Sequence, residues 1–591
     1  MNITCSPDEA RQSLVNFRDK KFRPYQEDAV KWVMGSEKRI KVVKADTGAG
    51  KSLIAMVCGV MAGDLTYLVQ SRFLQLQIAS DFPEIAVIWG RANYPCLKDS
   101  SRNCNECLST QSNPCEKKSS CLYSVAKKKA LEAKYRTLNF SYLLNEVQYV
   151  GRFSGNPNTV IDEADALENV LASNVQLSFG ERALFQLGLQ DGPHRKTATS
   201  KDGLSSWRDF GNIAQQRSTT IVANLEREIE LMGDNNDELK LKKMREREYF
   251  THIVERCSIF LNNMDKEWLF EEIPRYGSRQ GQIIFRPTWL SPELSEKFLF
   301  SHSQSFTLLS ATFPPIPILA KLLGLDINDI DYKELPSTFD PELSPVHLWP
   351  VANVVSKELD IAIPKLVKAI KKILDRHPGQ RGILHTVSWS LCGKIIEGVN
   401  SPRLITHTSQ NRQEVINEFM NHDGYYPKDS VLCSPSCERG IDLKEDLARF
   451  VIIIKCPYLS VGDKLTSSRI YSGNLGQLWY QSDAMSTVSQ MSGRATRSET
   501  DTAVTYILDA QVNKLYTEKP SLWSQSFRNK ISWDQPPGDW LEDEHINGQL
   551  VSPVEAEKMI SKINNQSTAK NRFIAGMRKN IQEVKDDDVP F

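Results

Sequence analysis

The sequence lacks net charge, because 73 Lys and Arg residues balance 73 Asp and Glu residues over 591 positions. It also lacks any apolar run of the ~20 residues that a membrane-spanning helix needs. The amino terminus, MNITCSPDEARQS, has no basic start followed by an apolar stretch, so we expect no secretory signal. These absences indicate a cytoplasmic protein, and any nucleic-acid surface on it has to be local and offset by acidic charge elsewhere.

Cysteine is scarce outside one short segment. Of the 12 cysteines, seven are scattered, several of them in apolar runs typical of a protein core. The other five lie close together: Cys96, Cys104, Cys107, Cys115 and Cys121. In a reducing cytosol such a cluster indicates a metal site more than a set of disulfides. Thiolates suit both zinc and iron–sulfur centres, so the cluster by itself leaves both open.

Short apolar runs alternate with helix-like stretches in two parts of the chain, which predicts two parallel α/β sheets. The strands predicted for the first sheet are Ile40–Lys44, Thr66–Val69, Ala86–Trp89, Thr159–Ile161 and Phe306–Leu309. Those predicted for the second are Gly382–Thr386, Arg403–Thr406, Val431–Cys433, Phe450–Ile454 and Val504–Leu508. Ligands bind where the strands of such sheets end.

The first predicted sheet is interrupted twice. The cysteine cluster lies between Trp89 and Thr159, and a second interruption lies between Asp165 and Phe306. The stretch Thr219–Met264 has apolar residues at helical spacing beside a charged face, so we expect the second insert to be largely helical.

A phosphate-binding loop is indicated by ADTGAGKS at Ala45–Ser52, between the strand-like RIKVVK and the helix-like SLIAMVCGVMAG. Ala45 stands where the general pattern has its first glycine. Glycines let backbone N–H groups approach the phosphates, the lysine reaches the β- and γ-phosphates, and the serine hydroxyl faces Mg²⁺. The residues expected to bind ATP and Mg²⁺ are Thr47, Gly48, Ala49, Gly50, Lys51 and Ser52.

IDEAD at Ile161–Asp165 ends another predicted strand. Asp162 is the candidate for holding Mg²⁺, and Glu163 is the candidate for orienting or deprotonating the attacking water. An acidic helix start would have the same residues, but a phosphate-binding loop upstream favours the catalytic interpretation. SATFPP at Ser310–Pro315 closes a further strand.

The second predicted sheet carries QMSGRATR at Gln490–Arg497. Arg494 and Arg497 are three residues apart and would share a helix face, from which both could stabilise charge on a transferred phosphoryl group. SPSCERGID at Ser434–Asp442 places Gly440 in a turn after the strand VLC.

These phrases, in this order, resemble the superfamily 2 helicases, and the resemblance runs from Phe22 to Arg497. FRPYQ at Phe22–Gln26 resembles the adenine-reading segment of that family, which makes Gln26 a candidate ATP ligand. YLVQSRFLQLQ at Tyr67–Gln77 resembles motif Ia, which touches the nucleic-acid backbone. The resemblance implies DNA contacts by Gln70, Ser71 and Arg72. It implies that Ser310 and Thr312 of motif III couple hydrolysis to strand movement. It also implies nucleotide-site roles for Glu438, Gly440 and Asp442 of motif V and for Gln490, Gly493, Arg494 and Arg497 of motif VI.

WGRANYPC at Trp89–Cys96, CLY at Cys121–Tyr123 and LNFSYLL at Leu138–Leu144 resemble the XPD/DinG group of DNA helicases. Four cysteines between motifs Ia and II hold a [4Fe–4S] cluster in that group, and a helical arch lies between motifs II and III. The resemblance implies Cys96, Cys115 and Cys121 as ligands, with Cys107 favoured for the fourth position over Cys104. A four-cysteine zinc site is the alternative. Arg91 and Tyr94 are candidates for phosphate contact and base stacking, beside equal structural roles.

The predicted fold class is α/β, with two RecA-like parallel-sheet motor domains and both inserts in the first. The first motor domain comprises residues 1–88, 136–175 and 296–335, interrupted by an iron–sulfur module at 89–135 and the arch at 176–295. The second motor domain is predicted at 336–535, and a C-terminal extension follows at 536–591.

The chain ends in VKDDDVPF, which resembles the acidic tip of bacterial single-stranded-DNA-binding proteins. A solvated acidic tail is the plainer interpretation. The resemblance implies that Phe591 and Asp586–Asp588 dock on replication or repair proteins, and it points to a bacterial or bacteriophage source.

The sequence therefore predicts an ATP-dependent DNA helicase that moves 5′ to 3′ on single-stranded or forked DNA in replication, repair or recombination. A translocase that displaces proteins or opens R-loops is the first alternative. An interaction scaffold with a vestigial motor is the second, and the intact Lys51, Asp162, Glu163, Arg494 and Arg497 speak against it. The cysteine cluster weakens an RNA helicase interpretation, which IDEAD alone would invite.

Overall fold

The structure is a computed structural model that describes residues 3–107, 115, 117–149, 151–232, 237–275, 280–421, 424–437, 443, 445–496, 500–532 and 534. These residues divide into two compact units. Unit 1 comprises residues 3–338 together with Leu459–Tyr480, and unit 2 comprises the described residues of 339–458 and 481–534.

The strands of the described residues are β1 Ile40–Lys44, β2 Leu65–Val69, β3 Ala86–Val87, β4 Tyr135–Asn139, β5 Thr159–Asp162, β6 Leu177–Gly180, β7 Trp268–Ile273, β8 Gln282–Pro287, β9 Phe306–Ser310, β10 Ile330–Glu334, β11 Val346–Ala352, β12 Gly382–His385, β13 Leu404–Ile405, β14 Val431–Ser434, β15 Phe450–Ile453, β16 Val504–Asp509 and β17 Ile531–Ser532.

The α-helices of the same residues are α1 Pro7–Ser13, α2 Gln26–Gly35, α3 Lys51–Ala62, α4 Arg72–Asp81, α5 Leu122–Glu132, α6 Phe140–Tyr149, α7 Leu167–Val175, α8 Glu181–Leu187, α9 Gly203–Leu231, α10 Asp237–Asn263, α11 Pro292–Phe298, α12 Ile316–Leu323, α13 Leu359–Arg376, α14 Trp389–Val399, α15 Arg412–Met420, α16 Lys464–Tyr471, α17 Asn474–Ser492, α18 Ala510–Glu518 and α19 Gln525–Asn529.

Unit 1 is built on a parallel seven-stranded sheet with the order β10-β1-β9-β5-β2-β4-β3. Successive residues of its strands enter different apolar clusters: Val42 and Ile161 lie in one, and Val43 and Val160 in the other. Side chains alternate across a strand, so both faces of this sheet are covered, as parallel sheets require. The five strands predicted here are all present.

Unit 2 contains a second parallel seven-stranded sheet, with the order β13-β14-β12-β15-β16-β11-β17. Helix α13 covers it through Ala362, Leu366, Ile370 and Ile373, which recur at helical spacing and are almost completely buried. The five predicted strands are present here as well.

The insert between β5 and β9 is only partly helical. Its long helices α9 and α10 pack together, but β6, β7 and β8 form an antiparallel three-stranded sheet beside them. The rings of Trp207, Phe260 and Phe285 fill the space between helices and sheet. The expectation of a largely helical insert missed this sheet, because the charged helix pattern of Thr219–Met264 dominates the segment.

The predicted second motor domain, 336–535, contains a segment that groups with the other unit. Residues Leu459–Tyr480, which include α16 and the start of α17, are part of unit 1. Among the described residues, none of the helices is long and apolar enough to cross a membrane.

Candidate functional site

The loop after β1 has the geometry of a phosphate-binding loop. Gly48 and Gly50 have φ angles of 86° and 77°, in the left-handed region that glycine adopts without strain. A Cβ atom on Gly50 would collide with Nε2 of Gln26, so a side chain there would displace Gln26 from the loop. Helix α3 begins at Lys51, which directs a helix N-terminus, favourable for anions, at the loop. The Lys51 ammonium donates to the carbonyl oxygens of Ala45 and Asp46, at 3.1 and 3.2 Å.

The segment FRPYQ contacts this loop directly. Gln26 is 97% buried, and its Nε2 donates to the carbonyl oxygen of Ala49 at 2.9 Å. Its Oε1 accepts the backbone N–H of Arg23 at 2.8 Å, and the Arg23 guanidinium donates to the carbonyl oxygen of Gly48. The loop and the candidate adenine-reading residue are therefore one hydrogen-bonded assembly.

The acidic motif lies two strands from the phosphate-binding loop. Asp162 ends β5, and its Oδ2 accepts a hydrogen bond from the Tyr67 hydroxyl on β2 at 3.0 Å. Burial, and next the Asp162 carboxylate, raise the pKa of Tyr67 well above its usual range, so this hydroxyl stays a donor. Glu163 has φ 52°, an uncommon value for a residue with a side chain, and such strain concentrates at functional sites.

Motif III joins the other two motifs. Ser310 ends β9, which lies between β1 and β5, and its carbonyl oxygen accepts the Ala45 N–H at 3.0 Å. The Ser310 hydroxyl donates to Oδ1 of Asp165 at 2.7 Å, and the Thr312 N–H donates to Oγ of Ser310 at 3.2 Å. Ser310 therefore links Asp165 to Ala45, the first residue of the phosphate-binding loop, by one side-chain and one backbone hydrogen bond.

The candidate DNA contacts of motif Ia lie at the start of α4. Ser71 caps this helix by accepting the Leu74 N–H, and Gln70 is exposed. Arg72 lies over the Trp89 ring, with its guanidinium carbon 4.5 Å from the ring centroid, and donates to Oδ1 of Asn93 at 3.0 Å. Phe73, next to Arg72, is 74% exposed.

Arg91 and Tyr94 are differently placed. Tyr94 is buried, its ring packs between Trp89 and Tyr123, and its hydroxyl accepts the Trp89 N–H at 3.1 Å. This burial favours the structural role over base stacking. Arg91 lies over the Tyr123 ring, with its guanidinium carbon 5.8 Å from the ring centroid.

The cysteine segment is folded around a short bridge between Pro95 and Asn103. The N–H of Cys96 donates to the carbonyl oxygen of Arg102, and the N–H of Cys104 donates to that of Tyr94. Burial, and to a smaller extent the neighbouring Cys121, raise the pKa of the Cys104 thiol. The choice of Cys107 or Cys104 as the fourth ligand stays a prediction. Within the described ranges, no three His, Cys, Asp or Glu side chains converge as a metal site.

Motif VI is only partly described. Gln490 lies on α17, which ends at Ser492, so Arg494 sits on the short 3₁₀ turn Gly493–Ala495 rather than on the predicted α-helix face. Arg497, and Glu438, Gly440 and Asp442 of motif V, lie outside the described residues. The positive charge of Arg494 acts on the buried imidazole of His385 at the end of β12.

Residues 372–527 match the model of a helicase C-terminal domain. The chain contains a helicase C-terminal domain. None of the curated proteins compared with it matches. Among solved structures it is similar to an XPD helicase, with a TM-score of 0.55 and 15% identity over 88% of this chain and 100% of that one. It is also similar to the structure of S. tokodaii Xpd4, with a TM-score of 0.53 and 12% identity over 86% and 99% of the two chains.

The likeness in fold and the helicase C-terminal domain confirm the predicted fold class of two RecA-like motor domains. The family model identifies a helicase C-terminal domain within the chain, and the likeness to the XPD structures, at 12–15% identity, is a likeness of fold.

Three residues with clear roles in the site geometry are absent from the candidates that the sequence supplies. These are Arg23, Tyr67 and Gln75; the last is fully buried and donates to the carbonyl oxygens of Ile88 and Thr137, which fixes α4 to the sheet. Tyr67 could have been recognised as a polar side chain within the apolar run LTYLV. Arg23 and Gln75 donate to backbone carbonyl oxygens, and such hydrogen bonds cannot be recognised from the sequence.

Proposed function

We propose that this protein is a helicase that uses ATP to translocate 5′ to 3′ on single-stranded DNA and to unwind duplexes in replication, repair or recombination. The single observation that supports it best is the connected network of Gln26, the phosphate-binding loop, Ser310 and Asp165. A vestigial motor would have no reason to keep these contacts. DNA and the polarity come from the resemblance of the phrases around the cysteines to the XPD/DinG group.

The residues divide the hydrolysis step among them. The N–H groups of the glycine-rich loop and the Lys51 ammonium hold the phosphates, and Gln26 reads the adenine. Ser52 and Asp162 supply oxygen ligands for Mg²⁺, which when bound neutralises charge on the phosphates. Glu163 takes a proton from the attacking water, and Arg494 with Arg497 stabilises charge on the phosphoryl group. Gly440 and Asp442 complete the nucleotide contacts.

The test of the motor compares wild type with Lys51→Ala in a DNA-stimulated ATPase assay. Because the lysine stabilises charge that develops during transfer, we expect kcat to fall by about 10²–10³-fold. Equal activity in the two proteins would favour the scaffold alternative.

The test of polarity is strand displacement on duplexes with a 5′ or a 3′ single-stranded tail. We expect unwinding of the 5′-tailed duplex alone. A preference for the 3′-tailed substrate would refute the assignment to the XPD/DinG-like mode of action. ATP-dependent displacement of a bound protein without unwinding would identify the translocase instead.

We further propose that the cysteine segment holds a [4Fe–4S] cluster, with Cys96, Cys115 and Cys121 as three ligands and Cys107 or Cys104 as the fourth. Thiols are the donors that such clusters take, and two of them already adjoin. The bound cluster would cross-link a segment too small to build its own core.

Metal analysis of anaerobically purified protein tests this. We expect about four irons per chain and brown colour; colourless protein with one zinc would establish the alternative. Cys121→Ser should lose the iron and Cys257→Ser, a buried thiol on α10, should keep it. Whichever of Cys104→Ser and Cys107→Ser also loses iron identifies the fourth ligand.

A further inference from the structure

The segment Leu459–Tyr480 is held in unit 1 by its own set of polar contacts. The Lys464 ammonium donates to the carbonyl oxygen of Phe270 at 3.2 Å, and Asp463 pairs with Arg286 at 3.3 Å. The hydroxyls of Ser468 and Thr288 lie 3.3 Å apart. Phe270 and Arg286 belong to strands β7 and β8 of the insert, and Thr288 directly follows β8. The segment is therefore bound to this pair of strands.

Arg469 is the centre of this attachment. Its side chain is 97% buried, and NH2 pairs with Oε1 of Glu168 at 2.6 Å while Nε donates to the carbonyl oxygen of Thr288 at 2.8 Å. The guanidinium lies between two indole rings, with centroids 4.7 Å away at Trp289 and 4.9 Å away at Trp479. A planar cation with several fixed donors can make all four contacts at once, which a lysine cannot.

These contacts join the helices that follow motif II (IDEAD, Ile161–Asp165) and motif III (SATFPP, Ser310–Pro315). Glu168 is on α7, which starts two residues after Asp165. Trp289 and Trp479 form an apolar cluster with Ile318 and Leu322 of α12, the helix that follows SATFPP. The helix α7 therefore contacts Arg469 itself, and α12 packs on the two indole rings on either side of Arg469.

From this junction we propose that Arg469 is a positioning residue for ATP hydrolysis. It ties together α7 and α12, the helices that follow Asp165 and SATFPP, so that the residues of these two motifs keep their places relative to each other. This inference rests on the proposed function, because it assigns Arg469 a part in that same reaction.

The experiment uses the full-length protein and three variants: Arg469→Lys, Glu168→Gln and the control Arg39→Lys. Arg39 also pairs with a glutamate of unit 1, Glu296, and also donates to a backbone carbonyl, but it touches no part of Leu459–Tyr480. Steady-state ATPase with single-stranded DNA gives kcat and KM, and thermal unfolding gives stability. The rate of amide hydrogen exchange in peptides from Lys464–Tyr480 measures how firmly this segment is attached, independently of ATPase activity.

We expect kcat of Arg469→Lys to fall about tenfold or more, since small misplacement of catalytic groups is costly, while KM for ATP stays within about twofold. Glu168→Gln should shift kcat in the same direction, and exchange in Lys464–Tyr480 should quicken in both variants. Arg39→Lys, at a partly exposed ion pair, should lower the melting temperature less and leave kcat and KM unchanged.

An unchanged kcat in Arg469→Lys with faster exchange would overturn the inference and leave a purely structural clamp. Equal losses of kcat in Arg469→Lys and Arg39→Lys would overturn it too, since the effect would then follow stability. Failure of the proposed function has a different signature: wild type itself would show no DNA-stimulated hydrolysis that Lys51→Ala removes.

Discussion

The imidazole of His385 is fully buried at the end of β12, and neither ring nitrogen has a hydrogen-bond partner among the described residues. Burial, and next the charge of Arg494, lower the pKa of His385 to about 3. The folded protein therefore keeps this ring neutral, while the unfolded chain protonates it below its usual pKa of about 6.5. The buried neutral ring therefore does not reduce the free energy of unfolding above about pH 6.5, and the free energy of unfolding decreases as pH falls from there towards 3.

We predict that His385→Leu reduces the acid sensitivity of the protein. One proton bound only by the unfolded state lowers the free energy of unfolding by up to about 1.4 kcal/mol per pH unit. Between about pH 7.5 and about pH 5, wild type should lose about 2 kcal/mol more than the variant. Denaturant unfolding of both proteins at both pH values measures this, and equal losses would show that the ring is protonated in the fold.

The hydrogen bond from the Ser310 hydroxyl to Asp165 leads to a second prediction. Ser310→Ala removes the hydrogen bond to Asp165 but leaves Lys51, Asp162 and Glu163 in place. Hydrogen bonds to charged groups contribute about 1.5–3 kcal/mol, so we expect strand displacement per ATP hydrolysed to fall about tenfold while hydrolysis persists. Ser303→Ala, which removes a buried hydroxyl bonded to the carbonyl oxygen of Asn156, is the matched control. Parallel loss of both activities in Ser310→Ala would speak against a coupling role.

At the scale of single residues, the sequence predicts those parts of the site that lie in contiguous phrases. Gln26, Lys51, Asp162 and Ser310 belong to such phrases, and the structure brings them together. The choice between Cys104 and Cys107 depends on which sulfur approaches Cys121, and spacing carries no information about that approach. Nor does spacing reveal that the helix before Arg494 ends at Ser492.

At the scale of elements, the Phe450 ring of β15 lies against β12 because Gly382 has no side chain. A Cβ atom there would lie 2.6 Å from the ring of Phe450, whereas one on Gly393 in α14 would meet nothing within 4 Å. We predict that Gly382→Ala destabilises the protein by about 1–3 kcal/mol, the usual cost of overpacking. Gly393→Ala should instead stabilise it by about 0.5–1 kcal/mol, because alanine is the better helix former.

Denaturant unfolding of the two glycine variants gives both free energies. Equal stability of Gly382→Ala and wild type would mean that the Phe450 ring shifts freely and that the two strands are less tightly packed than the contact implies.

Three of the strands that sequence patterns missed have an identifiable physical cause. Most of the ten predicted strands are apolar runs inside the parallel sheets, although β3 and β13 lie at sheet edges. Strand β10 is an edge strand with the polar sequence IDYKE, and β17 is an edge strand of two residues. Strand β4 includes the buried Arg136, which is paired with Asp64. Edge positions and paired charges remove the apolar signal on which strand prediction depends.

At the scale of the whole molecule, the chain order does not follow the compact units. Insertions in the first sheet are visible in the sequence because they separate motifs. The return of Leu459–Tyr480 to unit 1 is not visible, because the attachment depends on single distant partners such as Glu168 and Trp289.

The acidic tip lies outside the described residues, and its proposed docking on replication or repair proteins is tested on the full chain. We predict that deletion of Asp586–Phe591 leaves DNA-stimulated ATPase unchanged and abolishes capture of such proteins. A peptide with the sequence VKDDDVPF should compete with capture, and the same peptide without its final Phe should not, because an apolar pocket for that ring provides the specificity. Capture that survives the deletion would leave a solvated tail.

Strand β1 bears on how the chain folds as it is made. It pairs only with β9 and β10, and these begin at Phe306 and Ile330, whereas β1 ends at Lys44. At a synthesis rate of about 5–20 residues per second, the ribosome needs tens of seconds to deliver those neighbours. The run RIKVVK is thus an unpaired apolar strand throughout that time, and such strands recruit chaperones or aggregate. The phosphate-binding loop is among the first motifs translated and among the last to gain its shape.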